Sequence, residues 1–161
     1  MGIQRMDNVA IVVKDLDAAV DFFTELGMEL EGRTPIEGLF ADQTVGIAGL
    51  RSEIAMMRTP DGHGRVELTT YHSPDVITPD PLAPAPNTVG VHRIMFAVDD
   101  IDDTISRLRT HGAELLGEVG NYENVYRLCY LRGPEGIIVA LAEQIRRVST
   151  CGESGWKVDA D

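Results

Sequence analysis

The chain has 161 residues and sets 14 Lys and Arg against 26 Asp and Glu, a formal charge of −12. That length suits one ordinary domain, or two very small modules sharing a core, without stabilisation from disulfides. The acidic balance argues against nucleic acid or an anionic membrane as the main partner, and leaves open a small anionic ligand at a locally positive pocket.

The opening "MGIQRMDNVAIVVKDLD" has no apolar run of signal-peptide length, and no window reaches transmembrane length, so a cytoplasmic protein is expected. Residues 8–13 form a short β-branched run in which Val9, Ile11 and Val13 share one face. Asp15 is placed to cap a helix over 16–26 with Leu16, Ala19, Val20 and Phe23 near one side, and Gly27 suits the left-handed residue that ends it. Strands are expected at 28–33, 44–49, 52–58 and 65–71, the last two separated by the turn "TPDGHG".

Residues 73–90, "SPDVITPDPLAPAPNTVG", contain five prolines and read as an extended crossover that joins two parts of the chain without chemistry of its own. A second strand follows at 93–98, then Asp100 as cap of a helix over 101–111 with Ile101, Ile105 and Leu108 inward, then Gly112. Further strands are expected at 114–119, 125–132 and 137–143, with "GPEG" turning between the last two. The tail from 144 to 161 has no counterpart earlier in the chain and is expected to be a partly mobile extension. Trp156 within it is a ring large enough to dock on something. Cys129, in "RLCYLR", and Cys151, in "STCGESG", sit in unlike contexts, which suits a reducing compartment rather than a disulfide framework.

The two halves repeat. Residues 8–33 align without a gap on 93–118, and seven of the 26 pairs are identical, including Val13/Val98, Asp15/Asp100, Gly27/Gly112 and Glu29/Glu114. Average usage would give about two. The domain is therefore expected to span 1–143, with module one near 5–72 and module two near 91–143, each a βαβββ unit.

A duplicated βαβββ module that opens on "VAIVVKDLDAAVDFFTELG" and closes on "GPEGIIVALAE" resembles the vicinal oxygen chelate superfamily of glyoxalase I, bleomycin-resistance proteins and extradiol dioxygenases. The resemblance implies an α+β fold in which the tandem modules form a cupped, mixed eight-stranded sheet with helices on its outer face. It also implies a homodimer. In metal-using relatives, the first and last strand of each module supply inward ligands, usually His or Gln, Glu, His and Glu. Carried over, those positions are Asn8, Glu67, Arg93 and Ala140, and only Glu67 matches. Guanidinium has no free lone pair and stays charged, alanine offers no donor, and the remaining oxygens are too few for a divalent cation. No cofactor is expected; a divalent metal enters only under the enzymatic alternative.

Strand parity places Asn8 and Arg93 in the cup, and His92 with Ile94 and Phe96 on the helix side or at the strand's frayed start. Arg93 is expected to pair with Glu67 across the cup, to hold a ligand carboxylate, phosphate or enolate on its planar fork, or to turn to solvent at the cup's rim. Asn8 adds an amide, Tyr71 shares the parity of Glu67, and Tyr126 and Tyr130 are further binding candidates whose face the sequence leaves open. His63 and His72 read as surface residues. His111 suits a helix C-terminus, Asp99, Asp100, Asp102 and Asp103 a helix start, and Cys129 a core thiol. Two functions follow. One is a metal-independent protein that binds a small organic molecule, aromatic or anionic, for sequestration or resistance, as bleomycin-resistance proteins do. The alternative is a lyase, isomerase or dioxygenase relying on metal or on acid–base work by Glu67.

Overall fold

In the computed structural model, which describes residue 2 and residues 4–145, the two long helices begin where their capping aspartates predict. α1 covers Leu16–Leu26, and the Asp15 carboxylate accepts a hydrogen bond from the Ala18 N–H at 2.9 Å. α3 covers Ile101–Arg109, with Asp100 accepting from the Asp103 N–H at 2.9 Å. These caps satisfy backbone donors that have no partner inside the helix. α1 ends at Gly27, whose φ of 118° is a conformation that a residue with a Cβ rarely adopts.

Module one builds a four-stranded sheet from β1 (Val9–Val12), β2 (Glu29–Glu37), β3 (Arg51–Arg58) and β4 (Arg65–Ser73), in the order β1-β4-β3-β2. Module two repeats it with β5 (Arg93–Ala97), β6 (Glu114–Leu115), β8 (Tyr126–Arg132) and β9 (Ile138–Gln144) in the order β5-β9-β8-β6, and β7 (Gly120–Tyr122) adds to β8. In both, the opening strand runs parallel to the closing one and the other pairs are antiparallel.

Three expectations are corrected. The strands form two hydrogen-bonded sheets rather than one continuous eight-stranded sheet, so β1 and β5 are each an edge. The strand expected at 44–49 is absent; its place is taken by α2 (Leu39–Val45), a short helix held between two positive-φ glycines, Gly38 and Gly46. The Asp42 carboxylate then accepts from the Gly49 and Leu50 N–H groups at 2.9 Å each, so local hydrogen bonding wins over the β preference of Val45 and Ile47. Of the strand expected at 114–119 only Glu114–Leu115 forms; Gly117 at φ 94° follows, and β7 begins beyond the expected range at Gly120.

One core serves both modules. α1 and α3 pack on each other, and a single buried cluster joins Phe22, Phe23, Met57 and Leu68 to Ile101, Leu108, Leu131 and Leu141. Phe23 meets Phe22 edge-on at 5.3 Å between centroids and Phe96 of module two at 6.4 Å. Arg107 ties the helices at the surface, donating to Asp103 at 2.8 Å and to the backbone carbonyl and carboxylate of Glu25. The helices thus lie at the junction of the modules, and the opposite face of each sheet points away from this core.

The turn Pro134–Gly136 makes a second junction. Glu135 accepts from the Lys14 N–H at 2.7 and 2.9 Å and from the Asp15 N–H at 3.1 Å, clasping the start of α1 from module two. Among the described residues, no helix is long and apolar enough to cross a membrane. The expectations for the tail beyond Ile145, Trp156 and Cys151 included, lie outside the described residues.

Candidate functional site

The alternation read from the sequence sets the two faces. Val9, Ile11 and Val13 turn to the core, as do Ile94, Phe96 and Val98, so Ala10 and Val12, and Arg93, Met95 and Ala97, occupy the opposite faces. Pairing extends these faces across each sheet. Glu67 lies beside Ala10 and Thr69 beside Val12; Ile138 lies beside Arg93 and Ala140 beside Met95. Because Ala10 and Met95 are equivalent in the repeat, so are Glu67 and Ala140. The register of the four positions implied by the family resemblance is therefore the same in both modules.

On the module-one face, Asn8 stands just before β1 and is half-buried, as are Glu67 and Tyr71 on β4. Glu67 accepts from the Thr69 hydroxyl at 2.9 Å. On the module-two face, Tyr126 and Tyr130 lie on β8 with the parity of Leu128, which pairs with Ala142, so both tyrosines face the Arg93 side. The guanidinium carbon of Arg93 sits 4.8 Å from the centre of the Tyr130 ring, a cation–π arrangement.

The expected Arg93–Glu67 ion pair is not formed. Among the described residues, no carboxylate lies within 4.0 Å of Arg93, whereas Arg33, Arg58, Arg65, Arg107 and Arg127 each have one. The physical reason is exposure: Arg93 stays in contact with water, so burial does not force a counter-ion on it. The six candidate residues thus divide between two sheet faces, three on each.

An open groove of about 520 Å³ runs beside Arg93, lined by Pro86, Asn87, Thr88, Val91, His92 and Met95 among others. Here the crossover contributes a wall, which its proline content did not announce. Met95 was within reach of sequence reasoning, since it shares the parity of Arg93. His92 precedes β5, is half-buried, and lines the same groove. His63 and His72 are exposed; His72 lies 3.7 Å from Glu53. Asp102 binds Arg127 at 2.7 and 3.0 Å, Asp103 binds Arg107, and Asp100 caps α3, so these three aspartates of the run have helix and ion-pair duties. Cys129 is buried, and burial pushes its thiol pKa up.

With this geometry in place, comparison with known proteins is direct. Residues 5–141 match the profile of the glyoxalase/bleomycin resistance protein/dioxygenase superfamily. The chain belongs to that superfamily. It is similar to a glyoxalase family protein from Bacillus cereus, 52% identical, with a TM-score of 0.86 covering 91% of this chain and 97% of that one. A glyoxylase/bleomycin resistance protein/dioxygenase domain from Frankia sp. EAN1pec shares the fold at 16% identity and a TM-score of 0.63, covering 89% and 99% of the two chains. The uncharacterized protein YwbC of Bacillus subtilis is 28% identical over 136 residues, 83% of this chain and 92% of that protein.

The metal that the superfamily uses does not fit the residues present. Of the four equivalent positions, Asn8 and Glu67 offer oxygen, Ala140 offers nothing, and Arg93 brings a permanent positive charge. Among the described residues, no three His, Cys, Asp or Glu side chains group as a metal site would require.

Proposed function

We propose that this superfamily member is a metal-independent small-molecule binding protein, of the sequestration or resistance kind, acting as a cytoplasmic homodimer. One observation carries the reading. At a position where metal-using relatives place a ligand, this chain has an arginine that rests on Tyr130 and borders a groove, with no carboxylate among the described residues claiming it. A guanidinium there repels a cation and attracts an electron-rich group on an organic molecule. The division of the six candidates between two outward faces supports the dimer, since a second copy can set one face against the other.

The test is metal analysis of protein purified without a histidine tag, then incubated with Ni, Zn, Fe(II) and Mn and dialysed. The expected result is substoichiometric metal in every case. Stoichiometric metal that survives dialysis would overturn the reading and favour the lyase, isomerase or dioxygenase alternative, in which Glu67 takes part. The converse substitution set, Asn8→His, Arg93→His and Ala140→Glu together, is expected to create metal affinity, because it restores the donors in a shared register.

A further inference from the structure

The outward face of module two holds two arginines in different states. Arg132 donates to the backbone carbonyls of Gly136 at 3.2 Å and Pro84 at 2.9 Å, so its fork is occupied in fixing the crossover to the turn at 134–136. The Arg93 guanidinium makes no hydrogen bond to any acceptor among the described residues, and the Tyr130 ring lies against it. A guanidinium held by a ring keeps its N–H edges free, and those edges match the two oxygens of a carboxylate. The surroundings add selectivity. Val91 and Met95, 89% and 42% exposed, provide apolar surface beside the charge, while Asn87, Thr88 and His92 make a polar rim.

Charge decides among anions. The chain carries −12 overall, a field that penalises a phosphate dianion or polyphosphate more than a monoanion. We propose that the groove takes a small monocarboxylate with an aromatic or branched apolar body, its carboxylate on the Arg93 fork and its body along Met95 and Val91. This rests on the binding-protein reading and names the ligand class for it.

The experiment titrates isotope-labelled wild type, Arg93→Gln and Arg93→Lys with benzoate, benzamide and inorganic phosphate, following amide shifts by NMR; the dispersed spectrum reports that each variant is folded. Wild type is expected to bind benzoate about tenfold more tightly than its neutral isostere benzamide, and Arg93→Gln to lose that advantage while binding benzamide unchanged. Arg93→Lys should fall between, since it keeps the charge without the planar fork. Shifts should centre on 86–95 and 130. Equal binding of benzoate and benzamide overturns the carboxylate inference but leaves small-molecule binding standing. Benzoate affinity retained in Arg93→Gln, shifts centred elsewhere, phosphate preferred to benzoate, or no benzoate binding would each sink it as well. Failure of the binding-protein reading shows separately, as retained stoichiometric metal.

Discussion

Glu135→Ala should weaken the joint between the modules by a measurable amount. The Glu135 carboxylate accepts from two N–H groups at the start of α1, at 2.7 to 3.1 Å, and its backbone is left-handed at φ 54°. Loss of a helix-start acceptor costs about 0.5–2 kcal/mol, and loss of a negative charge near a helix N-terminus about 0.3–1 kcal/mol. Water replaces part of both, because the contact is exposed, so a net loss of about 1–2 kcal/mol is expected. Glu135→Gln keeps an oxygen without the charge and should lose about half as much. Glu135→Gly loses the carboxylate too, yet removing the Cβ from a left-handed residue returns about 1 kcal/mol, so it should be more stable than Glu135→Ala. Urea unfolding curves give the order wild type, then Gln and Gly, then Ala. Hydrogen exchange at Lys14 and Asp15 should quicken in Ala. If Ala matches wild type, or Gly proves less stable than Ala, the clasp reasoning is refuted.

Other outcomes follow from the packing and the ion pairs. Gly133→Ala would set a Cβ 2.8 Å from the fully buried Phe22 ring, so a loss of about 1–3 kcal/mol is expected in thermal unfolding; an unchanged melting temperature would mean that the ring shifts freely. The Arg127 guanidinium holds the Asp102 carboxyl below the usual range, as Arg65 does for Glu31 and the Thr59 hydroxyl for Asp61. Their folded pKa values lie below the unfolded ones, so their stabilisation is complete above the ordinary carboxylate range and disappears as pH falls through the depressed values. Asp102→Asn should flatten the acid limb of urea midpoint against pH, and an unaltered slope would discount the pair. In a Cys151→Ser background, Cys129 should resist a thiol reagent until the protein unfolds, because the reactive thiolate is disfavoured by burial; rapid native labelling would contradict this.

Much of the fold was legible because its signals are local. Asp15 and Asp100 announced helix starts, Gly27 announced the end of α1, and alternation in 8–13 and 93–98 divided core residues from the opposite face, all as found, whereas α3 stops at Arg109, capped by Thr110, before the expected Gly112. α2 was missed because Val45 and Ile47 suggested a strand, while the hydrogen bonds from Gly49 and Leu50 to Asp42 depend on a loop path that residue types do not encode. Glu135 was missed for a related reason. "TPDGHG" and "GPEG" looked like equivalent turns, but Asp61 stays within its own turn, accepting from Thr59 and the His63 N–H, whereas Glu135 reaches the other module. The longer side chain was the signal available.

The candidate site shows where such reasoning stops. Period-two parity set Arg93 on the side of its strand away from the helices and put Tyr71 with Glu67, because each assignment concerns one strand; that this side is the inside of a cup came from the family resemblance. Whether two outward faces converge is a question about modules, and no local pattern carries it. The expected Arg93–Glu67 pair rested on a buried arginine needing a counter-ion. Arg93 is exposed, so that need vanishes, and the face of Tyr130 at 4.8 Å is partner enough. The same exposure is what leaves its fork available, so the fact that breaks the internal pair is also the one on which the proposed carboxylate site rests.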